Sequence, residues 1–131
     1  MNQNIVIVKN SSIKQHEKII QSHVIELLNQ IKADGYISDP IIVDKNTMII
    51  LDGHHRFNVI KKLGLTASPV HFVDYKNKEI QVTAWREESG KITKKHVVKA
   101  GLSGKLLEPK TSKHFIPQRP TGLRILLSKL V

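Results

Sequence analysis

One junction constrains the fold more than any other part of the sequence: the stretch MIILDGHHRF, where an apolar run meets a helical pattern. Met48–Leu51 has the composition of a strand, and the residues from Phe57 onward have the spacing of a helix. A helix that begins directly after a strand presents backbone amides without intrahelical acceptors, and with the helix dipole these amides form an anion site. Five residues stand at this junction: Asp52, Gly53, His54, His55 and Arg56.

Four of these residues suit a phosphate group. Gly53 permits a tight turn and a close approach of the backbone, while His54, His55 and Arg56 add donors, and the planar fork of arginine can bond two phosphate oxygens. Asp52 does not fit a simple anion site. It is accounted for if Mg²⁺ lies between carboxylate and phosphate, or if the carboxylate holds a ribose or a histidine. The alternative without a functional role is that Asp52 caps the helix and the histidines lie on the surface. For the five residues together we favour a functional site over this alternative.

The remaining pattern predicts an α+β fold, with a small mixed sheet and a few helices in a single domain, residues 1–131. Helices are predicted from an N-cap at Ser22 to Gly35, from the junction to Gly64, and within 92–104, where Gly101 and Gly104 provide a stop. Strands are predicted at Asn4–Val8, Ile41–Val43, Met48–Leu51, 68–75 and 78–85, the last two as a hairpin. Residues 106–122 contain three prolines and predict no regular structure, and 123–131 fits either a strand or a helix.

Composition narrows the functional classes. Lys and Arg number 21 against 11 acidic residues, a net charge of +10, which fits nucleic acid, a nucleotide or a solvated basic surface. The absence of cysteine excludes disulfides and thiol chemistry and fits a reducing cytoplasm. No signal peptide is expected, and no apolar run approaches the ~18 residues of a membrane span. The adjacent histidines point in different directions on a helix, so a histidine-bound zinc site is not expected.

The stretch IIVDKNTMIILDGHHRFNVIKKLGL resembles the nucleotide-binding core of the ParB/sulfiredoxin superfamily. Sulfiredoxins have a cysteine before His-Arg, whereas this chain has His54, which excludes sulfiredoxin chemistry. ParB partition proteins carry an arginine-rich GERR-type box and a long helical DNA-binding region, and this chain has neither. The DGHHR form instead resembles the free serine kinases, which phosphorylate L-serine to O-phospho-L-serine with ADP or ATP. The better-known members are longer than this chain.

The resemblance also implies site residues. IKQHEK resembles the segment of the catalytic glutamate, here Glu17, and VTAW the segment whose tryptophan, here Trp85, lines the serine pocket. PKTSKH resembles the loop that grips the amino acid. The implied roles are a base at Glu17, Mg²⁺ at Asp52, phosphate contacts at the rest of the junction, and serine contacts at Trp85, Thr111, Ser112 and His114. His16, His23, His71 and His96 receive no role.

Two other functions remain open from the sequence. One is a ParB-like module that binds nucleotide or nucleic acid without catalysis; the net charge favours it, but no helix-turn-helix or aromatic-basic platform is visible. The other is a nuclease, which ranks last because no cluster of carboxylates suggests a two-metal site.

Overall fold

The computed structural model describes residues 5–85 and 91–131. Three helices lie within these ranges: α1 (Gln21–Asp34), α2 (His54–Lys62) and α3 (Lys94–Ser103). Short 3-10 helices cover Asn10–Ser12 and Leu127–Leu130. The strands are β1 (Val6–Lys9), β2 (Tyr36–Ile37), β3 (Ile41–Asp44), β4 (Ile50–Asp52), β5 (Ala67–Val73), β6 (Gln81–Ala84), β7 (Ser112–Phe115) and β8 (Ile125–Leu126).

A four-stranded mixed sheet forms the centre, in the order β1-β5-β3-β4. β5 runs antiparallel to β1 and parallel to β3, and β3 runs antiparallel to β4. Two antiparallel ribbons accompany the sheet, β2 with β8 and β6 with β7. The predicted α+β fold with a small mixed sheet is thereby confirmed.

The hairpin of β3 and β4 is buried on both faces. Ile41, Val43 and Ile50 pack into one apolar cluster with α1 and α2, whereas Ile42 and Leu51 pack into a second cluster with α3. Alternate residues of a strand point to opposite faces, so a strand covered on both sides is apolar throughout. This burial explains the uninterrupted apolar runs before the junction, and it holds the start of α2 in place.

Two predictions were wrong: the pairing of the strand at 78–85, and the absence of regular structure within 106–122. The strand predicted at 78–85 does not pair with β5; its core, β6, pairs with β7. No regular structure was predicted for the proline-containing stretch, but it contains β7. The strand can form there because Pro109 and Pro117 flank it and leave its backbone amides free to pair. The undecided C-terminal segment contains both β8 and a 3-10 helix.

Element boundaries also differ from the prediction. α1 begins at Gln21 with Ile20 in the N-cap position, so Ser22 lies inside the helix. Gly101 likewise lies inside α3, which ends before Gly104. β1 covers most of the strand predicted at Asn4–Val8, of which Asn4 lies outside the described residues.

Gly101 is required by close packing of α3 on the sheet. A Cβ at this position would lie 2.5 Å from Cδ1 and 2.7 Å from Cγ1 of Ile49, which is completely buried. Alanine is ordinarily better than glycine in a helix by about 1 kcal/mol, but overpacking a core costs about 1–3 kcal/mol. Because both distances are well below 3.0 Å, the upper part of the overpacking range applies, and we expect Gly101→Ala to lower the free energy of unfolding in urea by roughly 1–2 kcal/mol. Equal or greater stability, compared with an exposed Lys99→Ala control on the same helix, would contradict this packing.

Candidate active site

A cleft of about 180 Å³ opens where β4 ends and α2 begins. Eight of the ten predicted site residues line it, and the other two, Thr111 and His114, belong to the segment beside it. The cleft therefore joins chain segments that are far apart in sequence. Its lining residues are Glu17, Lys18, Leu51, Asp52, Gly53, His54, His55, Arg56, Trp85, Lys110 and Ser112.

The N-terminus of α2 faces this cleft without a side-chain cap. Gly53 occupies the N-cap position with a φ of 107°, and its carbonyl accepts the first intrahelical hydrogen bond, from the Phe57 amide at 2.9 Å. The amides of His54, His55 and Arg56 precede that bond and have no intrahelical acceptor. Asp52 does not cap the helix, so the alternative in which Asp52 is only a helix cap is wrong. The junction has the backbone geometry of an anion site.

The two junction histidines use their Nε2 atoms as acceptors. The backbone amide of His16 donates to His54 Nε2 at 3.1 Å, and that of Ile20 donates to His55 Nε2 at 3.1 Å. Burial, together with the neighbouring His16, lowers the pKa of His54 well below its ordinary value, and burial also lowers the pKa of His55. In this arrangement both imidazoles fasten the segment before α1 to α2. They do not offer Nε2 donors to a phosphate. In each neutral ring the proton then lies on Nδ1, which is the one ring donor that remains beside the backbone amides.

Two arginines bracket Asp52, and the sequence indicated only one of them. Arg119, from the segment after β7, forms an ion pair with the Asp52 carboxylate. Arg56 donates to the Pro40 carbonyl at 3.1 Å, and its buried Nε has no hydrogen-bond partner within the described residues. Burial alone would raise the pKa of Asp52, but the hydrogen bond from Arg119 and the charge of Arg56 hold that pKa below its ordinary value. Asp52 is thus an ionised carboxylate at the edge of the cleft.

The donor set at Asp52 is compatible with one protein ligand to Mg²⁺. Among residues 5–85 and 91–131, no group of three or more His, Asp or Glu residues is arranged to hold a metal ion. Mg²⁺ is usually bound through one or two carboxylates together with substrate phosphates, rather than by a complete protein cage. Arg119 occupies Oδ2 of Asp52, which leaves Oδ1 as the oxygen that would contact a phosphate-bound ion.

Glu17 is a buried carboxylate and not the solvated loop residue that its lysine neighbours suggest. Only 8% of Glu17 is exposed. Its Oε1 accepts the Thr111 amide at 3.1 Å, and its Oε2 accepts the Ser112 hydroxyl at 2.8 Å. Burial alone would raise the pKa of Glu17, but hydrogen bonds from His16 and Ser112 hold that pKa below its ordinary value. The carboxylate is therefore ionised and fixed in position at the cleft wall.

His16 was missed by the sequence reasoning. It is completely buried, its Nδ1 lies 2.7 Å from the Ile50 carbonyl, and its Nε2 lies 2.9 Å from the Ser112 hydroxyl. The only sequence signal was its position next to Glu17. Arg119 had no comparable signal, because nothing near it in the sequence resembles a site motif.

The predicted substrate-binding residues take different positions. Trp85 is 51% exposed at the end of β6, with Lys113 Nζ 4.8 Å and Lys110 Nζ 5.5 Å from its ring centre, so it belongs to the cleft and not to the core. His114 Nε2 lies 2.7 Å from the Tyr75 hydroxyl, and burial lowers the pKa of His114 to about 4. The Thr111 hydroxyl donates to the Glu108 carbonyl, so only its backbone amide reaches the site.

Comparison with known proteins identifies the family. Residues 2–88 match the ParB N-terminal domain. The chain belongs to this family. A ParB-like protein of Sulfolobus acidocaldarius is 40% identical over 78 residues, which are 60% of this chain and 39% of that protein. An ATP-dependent L-serine kinase of Staphylothermus marinus is 27% identical over 84 residues, 61% of this chain and 33% of that protein. The matches thus span between 33% and 39% of these relatives' own lengths.

Structural comparison extends the likeness over the whole chain. A free serine kinase solved in complex with AMP superposes with a TM-score of 0.89 at 16% identity, covering 100% of this chain and 95% of the other. At that identity the likeness shows the fold. The match of residues 2–88 to the ParB N-terminal domain confirms the resemblance to the ParB/sulfiredoxin superfamily. No helix within the described ranges has the length and apolar character needed to cross a membrane.

Proposed function

We propose that this family member transfers a phosphoryl group from a nucleotide, ADP or ATP, to the hydroxyl of free L-serine, and that residues 1–131 act as one domain. The observation that carries the proposal is the shared cleft. The ionised carboxylate of Glu17 and the uncapped N-terminus of α2 line the same small space. A base and a phosphate site must face one substrate for such a transfer, and the names of the related kinases agree with this chemistry.

In the proposed reaction, the serine hydroxyl oxygen attacks the terminal phosphorus of the nucleotide. The bond from that phosphorus to the bridging oxygen breaks, and the hydroxyl proton passes to Glu17. The products are O-phospho-L-serine and AMP from ADP, or ADP from ATP. Phosphoryl transfer depends mainly on positioning and charge neutralisation, so a well-placed carboxylate suffices as the proton acceptor.

The phosphates would bind the backbone amides of residues 53–56, with Arg56 and Arg119 supplying positive charge nearby. Mg²⁺, when bound at Asp52, would neutralise charge that develops on the phosphate oxygens. Asp52 already balances two guanidinium groups, so a metal–phosphate unit would enter a site in which both signs of charge are present.

The serine would lie between Glu17 and the end of the β6–β7 ribbon. Trp85 forms an exposed aromatic wall, and Lys110 lines the cleft with a charge that attracts a carboxylate. Thr111, Ser112 and His114 were predicted to grip the amino acid. The side chains of these three residues already form hydrogen bonds within the protein. We therefore propose that Thr111 and Ser112 act by holding Glu17, and that His114 stabilises the β6–β7 ribbon through its hydrogen bond with Tyr75.

A second candidate function is a ParB-like module that binds nucleotide or nucleic acid without catalysis. The net charge of +10 and the likeness to a ParB-like protein favour it. Binding to nucleic acid through phosphate contacts would weaken steeply with salt, whereas a kinase site would respond to serine and nucleotide.

A direct assay separates the two functions. We expect the purified chain with Mg²⁺ and serine to form phosphoserine from ADP or ATP, observed by ³¹P NMR as a new phosphomonoester signal with the matching AMP or ADP product. Omitting serine is the control for simple nucleotide hydrolysis. Absence of phosphoserine with both donors would contradict the kinase, and tight, salt-sensitive DNA binding that serine does not alter would support the module instead.

A further inference from the structure

His16 connects Glu17 to the backbone of the central sheet. One ring nitrogen, Nδ1, bonds to the carbonyl of Ile50 in β4, and the other, Nε2, bonds to the hydroxyl of Ser112 in β7. Ser112 in turn bonds to Glu17, whose Oε2 also lies 3.5 Å from His16 Nε2. The chain of contacts runs from Ile50 through His16 and Ser112 to Glu17. Of the titratable residues in these contacts, His16 is the one to which the proposed reaction gives no role.

The hydrogen bonds determine where the protons are. A carbonyl oxygen only accepts, so His16 Nδ1 carries a proton. An ionised carboxylate also only accepts, so the single hydroxyl proton of Ser112 points to Glu17 Oε2. The Ser112 oxygen must then accept from His16 Nε2, which therefore carries a second proton. The alternative places that proton on Glu17, but the Thr111 amide at Oε1 and the lowered pKa of Glu17 both favour the ionised carboxylate.

We propose that His16 is a positively charged positioning residue for Glu17, which it holds ionised and aimed into the cleft through the Ser112 hydroxyl. This role rests on the proposed function of Glu17 as the proton acceptor. His16 itself contacts neither the cleft nor a substrate, since it is completely buried and does not belong to the cleft lining.

In the described part of the chain, the side chains in contact with His16 bring one negative charge and no positive charge. Among residues 5–85 and 91–131, the titratable groups that contact it are Glu17, the His54 ring at 4.6 Å and the His114 ring at 5.9 Å between centroids. Burial lowers the pKa of both His54 and His114, and the nearby His16 contributes to both shifts. His54 also accepts the His16 backbone amide at Nε2, as a neutral imidazole does. One charged and two neutral histidines therefore share this cluster.

The arrangement favours orientation of the carboxylate over its basicity. A neighbouring positive charge makes a carboxylate a weaker proton acceptor. This would slow a reaction that depends on a strong base. Phosphoryl transfer through a loose transition state asks little of the base beyond correct placement. The hydrogen bonds from the Thr111 amide and the Ser112 hydroxyl fix Glu17, and His16 Nε2 at 3.5 Å balances its charge, which supplies that placement.

The protonation of His16 is measurable without any turnover. In ¹⁵N NMR of the histidine-labelled, unmodified chain at neutral pH, we expect both ring nitrogens of His16 to show the similar shifts of an imidazolium, while His54 shows the separated shifts of a neutral ring. In Glu17→Gln the imidazolium signature of His16 should be lost. A neutral His16 in the unmodified chain overturns the proposal, whether or not the protein is a kinase, and a charged His16 upholds it even if no phosphoserine forms.

Kinetics test the positioning role where the chain is active. We expect His16→Gln to lower kcat by about 10- to 100-fold, because Glu17 loses its placement, with KM for the nucleotide within about twofold. His96→Gln is the matched control: it is an exposed histidine of α3, whose contact with Thr93 lies outside the cleft. Ser112→Ala should resemble His16→Gln in the split between kcat and KM. An unchanged kcat in a folded His16→Gln chain would overturn the role, and the NMR result decides should that variant fail to fold.

Discussion

Replacing Glu17 with glutamine is expected to reduce phosphoserine formation by roughly 10²- to 10⁴-fold, the usual contribution of a positioned general base. The amide keeps one oxygen for the Thr111 amide, so the segment should stay in place, but it cannot accept the serine proton. The other end of the amide would face the Ser112 hydroxyl, which can rotate to accept. We expect the affinity for ADP, measured by calorimetry, to change little, because the phosphate site lies on α2.

The matched control for this variant is Glu26→Gln. Glu26 is an exposed glutamate of α1 outside the cleft lining, so the same chemical change is made without touching the site. Both variants should unfold at temperatures close to that of the unmodified chain. Full activity in Glu17→Gln would mean that another group takes the proton, and the assignment of Glu17 would be wrong.

The junction was predictable because its causes are local. An apolar run, then Asp52-Gly53, then a helical spacing specifies where the strand stops and the helix begins within a few residues. Because β3 and β4 are buried on both faces, every residue of 41–43 and 49–51 is apolar, and these uninterrupted runs also indicate strands. The α+β class followed from the same kind of local pattern.

The contacts that complete the site were not predictable, because they join distant segments. Ser112 bonds to His16 across 96 positions of sequence, and Arg119 reaches Asp52 across 67. Neither pairing leaves a periodic trace in the sequence. The pairing of β6 with β7 has the same character, and the turn after β5 suggested a nearer partner.

The junction histidines show a different limit of sequence reasoning. Beside a phosphate site, His54 and His55 suggest donors, but the direction of a histidine hydrogen bond depends on what faces each nitrogen. Here the chain before α1 crosses α2 and points two backbone amides at the rings. That crossing is a tertiary feature, and it makes the Nε2 atom of each imidazole an acceptor.

Replacing Gly53 with alanine is expected to weaken ADP binding by at least about tenfold and to lower the free energy of unfolding by roughly 1–2 kcal/mol, the cost of a left-handed backbone conformation with a side chain. Gly53 has a φ of 107°, and its Cβ would lie 3.0 Å from Arg56 Nη2 and 3.3 Å from Ile41 Cγ1. The first contact can be relieved by displacing the Arg56 guanidinium from the Pro40 carbonyl or by shifting the first turn of α2, and the strained φ at the N-cap favours the shift of the turn. The amides that would hold the phosphates then lose their alignment.

Gly64→Ala separates the two effects of that substitution. Gly64 has a φ of 75°, but nothing lies within 4 Å of the position its Cβ would take, and it does not belong to the cleft lining. This variant should lose a similar amount of stability and keep its affinity for ADP, as measured by calorimetry on both proteins. Unchanged ADP binding by Gly53→Ala would instead place the nucleotide phosphates away from the β4–α2 junction, and the proposed kinase site would lose its phosphate-binding half.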